Sequence, residues 1–262
     1  MTVSDSNQHN LLKILSLFSL VRGYNIIVLV LAQYLTARYI LDPKTPWHIL
    51  LLDLRFFAIV SASSLTTAAG YIINNFYDSA KDQINRPKKF MLQHLVSQKH
   101  QLILYLLLNM LAFVIASVIS VWVVLFFLFY MLTIWLYSNT IKRLFWLSNV
   151  FSAILMILPF WAITLYFKNF ETIIFYHAAY LFFLILARDI IKDLESFIGD
   201  WVHRYKTLPV VFDHITAKSI ASLCILLTYI PNYLIIQQPF GSIHYFFWAS
   251  IPFLIFVLKY VK

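Results

Sequence analysis

The stretch from Tyr71 to Lys89 reads YIINNFYDSAKDQINRPKK. Asn74, Asp78 and Asp82 recur at every fourth position, with Lys81, Arg86, Lys88 and Lys89 among and after them. More than a hundred residues later, ARDIIKDLESFIGD repeats the device: Asp189 and Asp193 stand four apart, flanked by Arg188 and Lys192 and followed by Glu195 and Asp200. Six of the chain's eleven acidic residues fall in these two stretches. On a helix, positions i, i+4 and i+8 share a face. Asn74, Asp78 and Asp82 therefore form one column, and Asp189 and Asp193 another. Asn75 is rotated off its column by about 100°.

Carboxylates gathered in this way need counter-charge. Mg²⁺ supplies it, because it takes carboxylate and phosphate oxygens while keeping several waters. The negative end of a helix dipole favours a cation at the same place. Lys81, Arg86, Lys142, Arg143, Arg188 and Lys192 are the candidates to hold the remaining phosphate oxygens. Taken singly, each column reads as a solvated helix end. The matched spacing, and the reach of polar Asn74 into an apolar run, favour a functional site.

The elements that carry these columns are membrane spans. The chain has 262 residues, of which 61% are hydrophobic, 18% aromatic and 12% charged, with a mean hydropathy of +0.79. Soluble domains carry about 25% charged residues. A spanning helix needs roughly 20 apolar residues. About eight segments qualify, near 12–36, 55–75, 101–119, 121–138, 147–167, 171–188, 216–236 and 243–261. They are too long and too uniformly apolar for transmembrane β-strands. The expected fold is an all-α multi-pass bundle, a single domain over 1–262. The first apolar run is longer than a signal-peptide core and reads as a retained helix. Cys224 stands alone, which excludes an intramolecular disulfide.

Charge gives the orientation. With the N-terminus inside, fifteen of the twenty Lys and Arg residues fall on the inner side, and Arg38, Lys44 and Lys168 on the outer. This bias follows the positive-inside rule. It places both termini, the loops 76–100 and 189–215, and both aspartate columns at the cytoplasmic face of the cell's inner membrane. The net charge of +9 is thereby accounted for without nucleic acid. None of the eight histidines forms an H-E-x-x-H pair.

At this level of detail the chain resembles the UbiA superfamily of intramembrane prenyltransferases over nearly its full length. The family's first motif, N-D-x-x-D-x-x-x-D followed by R-P, stands here as NNFYDSAKDQINRP. Its Y-x-x-x-K-type motif stands as YSNTIKR, Tyr137 to Arg143, one residue longer between Tyr137 and Lys142. The second aspartate motif stands as DIIKD, continuing through GD to KTLP. Arg22 and Asn25 match an R-x-x-N element. The resemblance implies two Mg²⁺ ions bound by Asn74, Asp78, Asp82, Asp189 and Asp193. It also implies a catalytic role for the aspartates and Tyr137, and an allylic prenyl diphosphate donor whose departure the cations assist. Two departures stand out: Asn75 replaces the usual Asp, and the family norm is nine helices.

The acceptor divides two readings. DQINRP with RDIIKDLESFIGD and KTLP most resembles the ether-lipid branch, the digeranylgeranylglyceryl phosphate synthases, whose acceptor is the hydroxyl of a prenylglyceryl phosphate. Arg204 stands where that branch's motif has glycine. The alternative is an aromatic acceptor of quinone synthesis, of the 4-hydroxybenzoate or dihydroxynaphthoate type, with Arg22 anchoring its carboxylate. A transporter is a different class, suggested by polar Arg22, Asn25, Gln33 and Asn74 within apolar segments. The paired Gly- and Pro-broken helices of transporters are not evident in a chain with four glycines. Because Asn75 lies off the column, Asn75→Ala is expected to keep most prenyl-transfer activity. Complete loss in a turnover assay would show that the helix presents a different face.

Overall fold

The computed structural model describes residues 3–145, 147–238 and 243–261. In chain order the helices are α1 (Val3–Leu20), α2 (Gly23–Thr36), α3 (Trp47–Leu52), α4 (Leu54–Asn85), α5 (Pro87–Gln93), α6 (Gln98–Ser117) and α7 (Val121–Asn139). There follow α8 (Leu147–Phe167), α9 (Thr172–Glu195), α10 (Phe197–Val202), α11 (Leu208–Val211), α12 (His214–Leu227), α13 (Tyr229–Ile236) and α14 (Ile243–Val261). A π-helical turn, Ala37–Leu41, prolongs α2, and a 3-10 turn, Ile141–Arg143, follows α7. Among the described residues no strand occurs.

Among the described residues, seven helical stretches are long and apolar enough to cross a membrane: Gly23–Leu41, Leu54–Asn85, Gln98–Ser117, Val121–Arg143, Leu147–Phe167, Thr172–Glu195 and His214–Ile236. The eighth expected segment is also helical, as α14, but its apolar part is the shorter Tyr245–Lys259. Two expectations shift. The run 12–36 is not one helix: it breaks at Val21 and Arg22, and the spanning part begins at Gly23. The second span runs ten residues past its expected end. At 1.5 Å per residue, α4's 32 residues reach about 48 Å. That exceeds the roughly 30 Å of hydrocarbon, so the Asn74–Asp82 column runs from the end of the apolar stretch onto the part of the helix that extends past it.

The chain forms two compact units, one of Met1–Leu31 with Ala58–Asn139 and the other of Ala32–Phe57 with Thr140–Lys262. In the first, α4 buries Ile59, Ala62, Thr66, Ala69 and Ile73. Their alternating three- and four-residue spacing makes one stripe, and its small residues permit the close approach that packs helices in membranes. Thr67 Oγ1 lies 3.2 Å from the Tyr130 hydroxyl of α7. One turn on, a Cβ at Gly70 would stand 3.0 Å from Ile134 Cγ2. Gln93 of α5 donates through Nε2 to Ser19 O at 3.0 Å, a carbonyl at the end of α1 that also accepts from the Arg22 amide at 3.2 Å.

In the second unit, α9 packs against α8, α12 and α13. Ala187, Ala217 and Ala221 sit in its core with Ile190, Ile225, Ile235, Phe247 and Leu254. Asn232 Nδ2 donates to Ser250 Oγ at 3.0 Å and Ser250 Oγ donates to Phe247 O at 2.8 Å, joining α13 to α14. Buried Gln33 donates to Pro159 O at 2.9 Å. This structural bond accounts for one of the polar residues that suggested a transporter. Asp53 caps α4 by accepting from the Arg55 and Phe56 amides at 3.0 and 3.1 Å, and accepts from the Tyr166 hydroxyl at 2.6 Å.

The contact at Gly70 yields a stability prediction. Gly70→Leu should cost about 1–3 kcal/mol by overpacking and lower the melting temperature in detergent. Gly70→Ala should be near neutral, because about 1 kcal/mol of helix propensity offsets the tight contact. An unchanged melting temperature for the leucine variant would show that α4 and α7 do not meet at this point.

Candidate functional site

The first unit gathers much of the first motif around Tyr71. Arg22 lies in the turn after α1 with a φ of 50°, and its guanidinium sits 4.6 Å from the Tyr71 ring centroid. Gly23 follows because a Cβ there would run into the Phe18 ring. Asn25, in the first turn of α2, donates through Nδ2 to the Tyr71 hydroxyl at 3.5 Å. Asp78, Asp82 and Arg86 all act electrostatically on Arg22. The break in the first apolar run thus sets a cation against the aspartate column. Tyr71 was absent from the sequence-derived candidates. Its signal was there, since Tyr71, Asn74 and Asp78 follow helical i, i+3, i+7 spacing.

Asn74, Asp78, Lys81 and Asp82 are half-buried along the last turns of α4. Arg86 is half-buried at the start of α5, its amide donating to Asp82 O at 2.8 Å. Asn75 is buried and turns to α6, where its Nδ2 donates to Gln101 Oε1 at 3.4 Å. Tyr137 is half-buried in the last turn of α7.

The second unit carries the second aspartate pair and the cationic turn. Asp189 is buried, with Oδ1 3.5 Å from Arg188 Nη1. Its Oδ2 is also buried and has no hydrogen-bond partner among the described residues. A buried carboxylate oxygen left in this state is costly unless a cation or donor arrives. Asp193 Oδ2 accepts from Asn149 Nδ2 at 2.8 Å. Asn149 is itself buried and accepts from Ser148 Oγ at 3.3 Å. Nothing in the local sequence of α8 marked Asn149, because its role rests on a tertiary contact across 44 residues. Arg188 is largely exposed and Lys192 half-buried.

Lys142 is buried in the 3-10 turn, which packs against α8. Arg143 is exposed and lies 5.8 Å from the ring centroid of buried Tyr205. Of the two acids that extend the second motif, Glu195 is exposed, whereas Asp200 is fully buried and accepts from Ser196 Oγ at 3.2 Å. Arg204 follows α10 with a φ of 58°. That left-handed conformation is the physical reason a glycine suits the position.

Among the described residues, no three Asp, Glu, His or Cys side chains converge on a point. Each unit carries a pair of carboxylates of its own, with cationic residues near it in sequence. A pair leaves most positions around a hard cation for water or phosphate oxygens.

Residues 27–262 match the model of the UbiA prenyltransferase family. Digeranylgeranylglyceryl phosphate synthase of Thermococcus kodakarensis is 29% identical over 68% of this chain; the match spans 64% of that relative's length, less than two thirds of it. The same-named protein of Methanosphaera stadtmanae is 27% identical over 74% of this chain and 71% of its own. The fold is similar to that of a UbiA homolog from Archaeoglobus fulgidus bound to DMAPP and Mg²⁺, with a TM-score of 0.75 and 15% identity over 93% of this chain and 86% of that one. The motif order, the helical architecture and the match over residues 27–262 agree: the chain belongs to the UbiA prenyltransferase family.

Proposed function

We propose that this chain transfers a polyprenyl group from an allylic prenyl diphosphate to the free hydroxyl of a prenylglyceryl phosphate, forming an ether lipid. The observation that carries the reading is the buried, unpartnered Oδ2 of Asp189 in a motif whose second carboxylate, Asp193, is fixed by Asn149. The name shared by the two curated relatives supports the glycerol phosphate acceptor. The ligands of the Archaeoglobus fulgidus homolog support an allylic diphosphate and Mg²⁺.

Asp78, Asp82, Asp189 and Asp193, with Asn74, present hard oxygen donors, and these suit Mg²⁺. Two ions are inferred from the family resemblance, each aspartate pair offering donors of the kind one ion takes. Mg²⁺ held by these residues would neutralise the diphosphate and make it a better leaving group. Lys81, Arg86, Lys142, Arg143, Arg188 and Lys192 hold diphosphate oxygens as charge builds on them. The bond from the first prenyl carbon to oxygen breaks, and its electron pair leaves with the diphosphate. The acceptor hydroxyl oxygen then bonds to that carbon and releases its proton. Tyr137 is assigned to stabilise the developing allylic cation, as an aromatic face does. Arg22 and Asn25, held against Tyr71, position the Asp78 and Asp82 carboxylates electrostatically. The whole of 1–262 acts as a single transmembrane domain, with both termini and the mouth of the site cytoplasmic.

The test uses purified protein in detergent with Mg²⁺ and geranylgeranyl diphosphate. Geranylgeranylglyceryl phosphate, 4-hydroxybenzoate and dihydroxynaphthoate are offered together and products are read by mass. A diether is expected. A prenylated aromatic instead would move the protein to quinone synthesis. EDTA should abolish turnover and Mg²⁺ restore it. Asp78→Asn, Asp82→Asn, Asp189→Asn and Asp193→Asn should each lower turnover by about a hundredfold or more, and wild-type turnover in any one would remove that residue from the metal site.

Asn149 is a positioning residue. Asn149→Leu should reduce activity about 10- to 100-fold, as loss of an outer-shell partner does. It should also raise the Mg²⁺ concentration needed for half-maximal turnover. A loss of activity at unchanged Mg²⁺ dependence would assign Asn149 a purely structural role.

A further inference from the structure

A groove of about 530 Å³ runs along the outer face of α12, away from the residues assigned above. Its upper part is lined by His214, Lys218, Ser219 and Ser222. Its lower part is apolar, with Leu223 and Leu226 exposed along the wall. Ile215, 77% exposed, also lines the upper end. The arrangement follows from helical spacing, since His214, Lys218, Ser222 and Leu226 lie four apart on one stripe. From His214 to Leu226 the stripe covers about 18 Å, the depth of a lipid headgroup and the upper part of its chains.

We propose that this groove holds an anionic glycerophospholipid of the surrounding membrane, its phosphate at Lys218 and its acyl chain along Leu223 and Leu226. The helix begins a spanning segment, His214–Ile236, so the groove passes from the interface into the apolar zone, as the lipid does. Lys218 is the one Lys, Arg, Asp or Glu in that segment. A lysine carried a turn into a span is costly unless it snorkels or meets an anion. The Ser219 hydroxyl proton is engaged, donating to Ile215 O at 2.9 Å, so the attraction for a phosphate rests on Lys218. Asp213, the acid beside the groove, accepts from the Thr216 amide as the cap of α12. Charge complementarity thus selects an anionic headgroup over a zwitterionic one, and apolar shape alone does not.

Native mass spectrometry of the full chain, released from a neutral detergent containing equimolar dioleoyl phosphatidylglycerol and dioleoyl phosphatidylcholine, tests this. The wild type should retain phosphatidylglycerol in preference. Lys218→Gln should lower its retention about fivefold, the scale of one lysine's attraction to an anionic leaflet, and leave phosphatidylcholine unchanged. Leu223→Trp keeps the charge but fills the apolar wall, and should also displace phosphatidylglycerol. Lys259→Gln, at the exposed end of α14, should have no effect. Equal retention of the two lipids, the same loss from Lys259→Gln as from Lys218→Gln, or full retention in Leu223→Trp would each overturn the site.

Discussion

A carboxylate that is buried and ionised must be answered by a cation or by donors, and in a chain this apolar the constraint governs nearly everything else. Asp189 states it most sharply. One of its oxygens is near Arg188, and the other is buried with no partner among the described residues. Removing a charge from water costs several kcal/mol even after relaxation. The surrounding helices tolerate this because α9 is held on α8, α12 and α13 by small residues and large apolar ones, not by the aspartate itself. The stability of the unit and the chemistry of its site are carried by different side chains. A site so supported can keep a carboxylate oxygen unpartnered and ready for a ligand.

The same rule explains the polar residues that do not belong to the site. In hydrocarbon every donor and acceptor must be satisfied within the protein. Gln33 meets Pro159 O, Asn232 meets Ser250, and Asp53 meets two amides and the Tyr166 hydroxyl. Each is a pairing between elements distant in sequence or a cap at a helix start. Gln33 and Asn232 each spend an amide donor on a protein acceptor while their side-chain oxygens, like Asp189 Oδ2, are buried without a partner among the described residues; what separates Asp189 is that its unpartnered oxygen belongs to a carboxylate.

Much of this was legible in the residues, because helical period and apolar length are local properties. The positions of Asp78, Asp82, Asp189 and Asp193 at the ends of long helices follow from spacing and from the boundary between apolar and charged runs. The break at Val21–Arg22 is marked in the sequence only by Arg22, Gly23 and Asn25 inside an apolar run, a pattern that does not by itself tell a helix break from a polar site within one helix. It is made by a close approach of Phe18 to Gly23 that only the folded chain displays. Asn149 was invisible, being an ordinary Asn in an apolar helix until Asp193 is brought beside it. The short helices α5, α10 and α11 lie in stretches too short and too mixed in polarity for periodicity to register.

Three helix ends show how the chain manages with few glycines. Arg22 after α1, Lys168 after α8 and Arg204 after α10 all have positive φ. Such C-terminal positions ordinarily favour glycine, since a side chain there costs roughly 1–2 kcal/mol. In each case a cation takes the place, and the negative end of the helix dipole returns about 0.3–1 kcal/mol. The exchange does not cancel the strain, but it fixes a positive charge at a defined spot instead of leaving it on a free side chain. At Arg22 that spot is beside Tyr71 and within electrostatic reach of Asp78 and Asp82. The apparent departure at Arg204 is the same device used a third time, on the loop that follows the second aspartate motif. Backbone strain and charge placement are therefore one feature in this chain, and two of its three instances adjoin the residues proposed to hold the diphosphate.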